Sequence, residues 1–331
     1  MEYQSQGPED RTDVIAALIR AAGPRIAPPE EAYQQVLVAA TAAFRAHAAR
    51  RRDRNWLVWA AAAGVAGLAI ALLLDWNPAP VQPAPVAAVA RLIGVVEIGV
   101  DGGWRPVAES DGRLAAGARL RTLAGGRAAL TLDGGASLRL AAGTEVGLEG
   151  SRRVSLRSGT LYLDNNSSLG TGYLIETPVG VVRDIGTQFE LNVAGGNLRL
   201  RVREGQVEIN HTGELLTGSA GEQLDIDVLR GVTRSRIPVT GASWQWAESI
   251  APAPDFDGQP ATVLLAWVAR ETGRQLHYES EVVRARAETV ILHGNILHLE
   301  PLAALDVMLA TTDLEYAIDG DTMEVRARAE R

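Results

Sequence analysis

Cysteine is absent from the 331 residues, which removes disulfides, thiolate metal sites and a cysteine nucleophile from consideration. Lysine is absent as well, so all 32 basic residues are arginine. Alanine and glycine are abundant alongside it, so the arginine content reads as codon bias and not as a nucleic-acid footprint. No glycine-rich phosphate loop of the Walker or Rossmann type occurs, and no Gly-x-Ser-x-Gly elbow. The five histidines (His47, His211, His277, His293 and His298) keep no metal-ligand spacing. Asp184-Ile-Gly-Thr187 has the composition of an aspartic-protease loop, but in one copy and with the wrong spacing. The reading is therefore a non-enzyme, with no cofactor and no metal.

What is present starts with an apolar run. Trp56 to Leu74 carries no charge and no strong hydrogen-bonding side chain. At about 1.5 Å per residue it reaches roughly 28 Å, the thickness of a bilayer's hydrocarbon core. Trp56, Trp59 and Trp76 sit where indoles favour the membrane interface. Arg45, Arg50, Arg51, Arg52 and Arg54 crowd its N-terminal side, whereas Asp75 follows it and the next basic residue is Arg91. Arginine excess marks the cytoplasmic flank. The expected topology is an uncleaved anchor at 55–75, with residues 1–54 cytoplasmic and the rest outside the inner membrane. The inner part holds 8 arginines against 7 acidic residues and the outer part 24 against 33. An acidic outer part is no candidate for direct nucleic-acid binding.

Residues 1–54 read as a short helical arm. Tyr33, Val36, Leu37, Ala40 and Phe44 recur at helical spacing, and so short a segment needs the membrane, itself or a partner to cover that stripe. Val36, Leu37 and Phe44 are the candidate partner-binding residues. The proline-rich stretch 76–90 reads as an extended spacer.

Residues 91–230 alternate apolar and polar side chains, with glycine-bearing turns every eight to twelve residues, the mark of an all-β domain. Leu198, Leu200 and Val202 face one way and Arg199, Arg201 and Arg203 the other. Asp133-Gly-Gly135 joins one hairpin; Ala194-Gly-Gly-Asn197 and Glu204-Gly205 are expected to join the strands of an antiparallel meander. Residues 231–257 read as a linker in which Trp244 and Trp246 alternate, one ring packed and the other less buried. Residues 258–331 read as a small α+β module, with helices at 261–272 and 301–311, strands at 275–278 and 289–292, and a closing hairpin around Asp319-Gly-Asp321.

Within the β region Arg119-Leu-Arg-Thr122, Ala129 to Leu140, Thr144-Glu-Val146, Val154 to Tyr162, Glu176-Thr-Pro178, Gly186-Thr-Gln-Phe189 and Val202-Arg-Glu-Gly-Gln-Val207 follow in order. This resembles the FecR family of transmembrane sigma-factor regulators over about 110–225, with Gly186, Thr187, Phe189, Glu204 and Gly205 as its motif residues. The end module looks like the short N-terminal signalling (STN) domain of secretins and TonB-dependent receptors.

The resemblance implies a multidomain membrane protein: α arm, one transmembrane helix, solenoid-like all-β periplasmic domain and α+β module. It implies a relay, iron uptake-like, from a TonB-dependent receptor's signalling domain in the periplasm to an extracytoplasmic-function (ECF) sigma factor at the arm. Gly186 either only supplies backbone freedom at a strand start or forms with Thr187 a self-cleavage bond, in which the threonine hydroxyl attacks the preceding carbonyl, and the resemblance adds weight to the second. Family members often begin with a longer, tryptophan-bearing helical domain, and residues 1–54 have no tryptophan. The alternative is thus a membrane-anchored periplasmic binding or scaffold protein with a FecR-type domain and no sigma factor.

Overall fold

A computed structural model describes residues 17, 20–21, 29–45, 84–100, 102–165, 172–296 and 299–328. The expected span at 55–75 and most of the expected spacer lie outside these residues. Among the described residues no helix is long and apolar enough to cross a membrane. Two compact units form, 1–81 and 82–331.

In the first unit residues 30–45 are helical and exposed throughout. Val36 is 68%, Leu37 45% and Phe44 78% exposed. Leu37 and Phe44, seven residues apart, share one face of the helix.

The second unit opens with seventeen strands. The first nine are β1 (Pro85–Ile93), β2 (Val96–Val100), β3 (Gly103–Pro106), β4 (Arg113–Ala115), β5 (Ala118–Thr122), β6 (Arg127–Leu132), β7 (Ser137–Leu140), β8 (Glu145–Gly150) and β9 (Arg153–Asp164). The others are β10 (Leu174–Glu176), β11 (Val181–Asp184), β12 (Gln188–Ala194), β13 (Asn197–Glu204), β14 (Gln206–His211), β15 (Glu214–Ser219), β16 (Glu222–Asp227) and β17 (Gly231–Arg236).

They pair into two faces. One runs β4-β1-β6-β7-β9-β12-β13-β16-β17. The other runs β3-β2-β5-β8-β9-β10-β11-β14-β15. Strand β9 belongs to both: Arg153–Ser158 pairs with β8, and Gly159–Asp164 with β12. Pairing is antiparallel except between β9 and β10. The chain passes repeatedly from one face to the other, and alternate side chains of both (Leu130, Leu138, Val146, Leu156, Leu200 and Ile209 among them) fill one core between.

Two boundaries differ from the sequence reading. Strand β1 begins at Pro85, inside the stretch read as spacer, because proline is tolerated at a strand's first residue and Val86 and Ala87 then enter the core. Residues 231–257 are not a free linker. Strand β17 completes a face, although all six of its residues are exposed and so leave no alternating pattern. The following segment straps across the β7–β13 part of that face. Its Trp244 is fully buried, packs edge-on against Tyr162 at 6.1 Å and donates from Nε1 to Pro238 O at 2.9 Å. The Trp246 ring is less buried and donates to Glu190 Oε2 at 2.7 Å.

The end module has a separate core. Helices Ala261–Thr272, Glu281–Thr289 and Pro301–Leu309 pack with a sheet ordered Gln275–Tyr278, Thr322–Ala327, Leu314–Asp319. Gly273 ends the first helix in the left-handed region at φ +67°. The strand expected at 289–292 is reduced to Ile291–Leu292, and the middle helix, capped by the Ser280 hydroxyl, takes up Thr289. Only Val283 and Ala287 of that helix are buried, too little apolar periodicity to announce it.

Candidate functional site: two stacked crossing corners and the junction behind them

The motif residues are gathered at one edge of the β stack. Strand β11 ends on one face at Asp184, and β12 starts on the other at Gln188. The intervening Ile185-Gly186-Thr187 is the crossing, with Gly186 at φ +71° and exposed. The second crossing is Glu204-Gly205. Strands β13 and β14 do not pair with one another: β13 pairs with β12 and β16, and β14 with β11 and β15. The expected hairpin at Glu204-Gly205 is thus a corner between faces. Gly205 has φ +79°, and a Cβ there would lie 2.6 Å from Thr187 Cγ2 and 2.9 Å from Gly186 O. The two corners therefore stack backbone against backbone, which only glycine allows. Phe189 is fully buried in the core.

Thr187 and Asp184 are each 1% exposed. The Thr187 N–H donates to Asp184 Oδ1 at 3.0 Å, and the Thr187 hydroxyl donates to the same oxygen. The other oxygen, Oδ2, accepts from Asn165 Nδ2, while the Asn165 backbone N–H donates to Thr187 O at 3.0 Å. A nucleophilic hydroxyl, a carboxylate in contact with it and a third group orienting the carboxylate are the parts of an activated nucleophile. Thr187 came from its motif, whereas nothing in the local sequence places Asn165 beside it.

Behind the corners the outer side of the first face carries cross-strand rows. Arg139 stands opposite Tyr162, Tyr162 opposite Glu190, and Glu190 opposite Arg201. Alternation predicts such residues to be solvated, but the strap and the Ala261–Thr272 helix cover them. The Arg139 side chain is fully buried, with Nη1 2.7 Å from Glu271 Oε2 and Nη2 2.8 Å from Oε1. It also donates to Ala247 O at 3.0 Å and to Ser137 Oγ at 3.1 Å. Burial works against the Arg139 charge, but the Glu271 carboxylate more than offsets it and holds the guanidinium more firmly protonated than usual. Beside it, burial pushes the Tyr162 phenol up.

Arg203 donates to Val239 O and Glu248 Oε1 at 2.7 Å and to Glu271 O at 2.8 Å. That last bond places a cation at the C-terminal end of the Ala261–Thr272 helix, where the macrodipole favours it. The corners join this network directly. Gln188 Nε2 donates to Asp164 Oδ2 at 3.0 Å and to Arg270 O at 3.3 Å. Arg270 bonds Asp164 and reaches Glu204 Oε2 at 3.2 Å. Residues next to each corner thus hold the end module in place.

Residues 118–208 match the family described as FecR protein. No curated protein matches the chain. Two crystal structures of a candidate anti-sigma factor from Parabacteroides distasonis, at 1.65 and 2.50 Å resolution, are similar at 16% identity. Each alignment covers 64% of this chain and 99% of that one, with TM-scores of 0.36 and 0.35. Strand β5 through the start of β14, with both crossing corners inside, is the segment similar to the FecR family.

Proposed function

We propose that the chain is a single-pass inner-membrane regulator that relays an envelope signal to an ECF sigma factor. The arm binds the sigma factor in the cytoplasm, residues 55–75 span the membrane, and the FecR-type domain and end module receive the signal in the periplasm. The FecR match over 118–208 carries this reading, and the arginine-flanked apolar run before it supports the topology. The signal's source is the signalling domain of a TonB-dependent receptor of the iron-uptake kind. It docks on the end module, whose three-stranded sheet offers a strand edge for pairing.

Cleavage at Gly186–Thr187 is part of the same reading. The pieces stay associated after the cut, because β12 remains paired with β9 and β14 with β11 across it.

The test is co-purification of the chain with the ECF sigma factors of its own genome. One of them is expected to bind, and Leu37→Asp or Phe44→Asp to abolish capture, because each puts an unpaired charge into an apolar contact at a cost of about 2 kcal/mol or more. If none binds the arm, the anchored scaffold replaces the regulator.

A further inference from the structure

We infer that Asp184 is the catalytic proton carrier of the Gly186–Thr187 corner, with Asn165 as its positioning residue. The inference rests on the cleavage reading above and assigns its machinery. In an acyl shift from nitrogen to oxygen two atoms change protonation: the Thr187 hydroxyl loses a proton and the Thr187 nitrogen gains one. One carboxylate oxygen, Asp184 Oδ1, accepts hydrogen bonds from both of these atoms. No second residue is needed to move the proton between them.

The steps balance. Asp184 takes the hydroxyl proton as Thr187 Oγ bonds to the Gly186 carbonyl carbon. The carbon–nitrogen bond breaks, and Asp184 returns the proton to the departing nitrogen, which becomes the amino group of Thr187. The product is an ester between Gly186 and Thr187 Oγ. Water then adds to that ester and splits it into a Gly186 carboxylate and a free Thr187 hydroxyl. Gly186 is exposed, whereas Thr187 and Asp184 are closed off.

Asn165 completes the arrangement. Its amide holds Oδ2, which leaves Oδ1 for Thr187, and its backbone N–H fixes the Thr187 carbonyl. An Asp that merely caps a turn would make the same two bonds to the residue three positions on, so the test must separate capping from proton transfer.

Asp184→Asn does so. The asparagine keeps an oxygen acceptor for both Thr187 bonds, and the Asn165 amide can rotate to meet the new NH2 group, but the base is gone. Full-length protein is incubated and the fragments ending at Gly186 and starting at Thr187 are followed by mass spectrometry, with and without hydroxylamine, which cuts an ester. Wild type is expected to give both fragments, faster with hydroxylamine, and Thr187→Ala to stay whole. Asp184→Asn is expected to cut about 100-fold more slowly or worse, with an unchanged urea midpoint.

In that background Thr187→Cys is expected to restore cutting by hydroxylamine. A thiol ionises near pH 8.5, roughly its free value, and so depends far less on a base. Asp184→Asn cutting at the wild-type rate would overturn the proton-carrier role and leave cleavage standing. Failure of Thr187→Cys to restore it in a folded protein would mark Asp184 as a turn cap and overturn the role too. Wild type that remains whole would overturn the cleavage reading and this inference with it.

Discussion

Arg139→Ala is expected to destabilise the second unit by about 3–5 kcal/mol, the loss typical of removing one partner of a buried ion pair. Arg139 is fully buried and Glu271 is 4% exposed, so alanine leaves a buried carboxylate without its ion-pair partner. It also orphans Ala247 O, which accepts from Nη1, and opens space beside the Tyr162 ring, over which the guanidinium sits at 5.1 Å. The strap and the end module meet at this residue, so the damage falls on their docking. Urea unfolding should show a lower midpoint, and limited proteolysis should cut within 237–258, which wild type protects. The double variant Arg139→Met, Glu271→Met is expected to recover most of the loss, since replacing a buried pair by apolar side chains is often neutral or better. A single variant within about 1 kcal/mol of wild type would contradict the burial of this pair.

Gly205→Ala is expected to cost about 2–5 kcal/mol. An L-residue held near φ +79° loses about 1–2 kcal/mol, and crowding a close-packed contact adds about 1–3 kcal/mol. The crowding is with Thr187 and the Gly186 carbonyl, so the variant also displaces the bond proposed to break. Gly186→Ala is the control. Its φ is +71°, but nothing lies within 4 Å of the added methyl, so only the backbone cost applies. Urea midpoints of the two variants should therefore differ, with Gly205→Ala the lower. Equal midpoints would mean that the corners do not stack.

These two sites show where sequence reasoning succeeds and stops. The strands were legible because their side chains alternate into one core, as Leu198, Leu200 and Val202 do. Pairing partners were not. A glycine after Glu204 serves a hairpin or a face-crossing corner equally well, and period two does not say which strand lies alongside. Strand β17 was invisible because it buries nothing.

Arg139 and Arg203 looked solvated because alternation assigns a face and not what covers it. The cover comes from residues a hundred or more positions away for Arg139 and several dozen for Arg203. At the corner the sequence offered Gly186 and Thr187 by motif. Asp184 was noticed only as an imperfect protease loop, because its partner is three residues on and its orienting amide, Asn165, reaches it from the end of β9.

The proposed threading, from a cytoplasmic arm to a periplasmic β stack, is tested most directly by fusing a reporter active only outside the cytoplasm at two positions. The fusion after Arg91 should be active and the fusion after Arg45 silent. An active Arg45 fusion with a silent Arg91 fusion would place the FecR-type domain in the cytoplasm and contradict the relay.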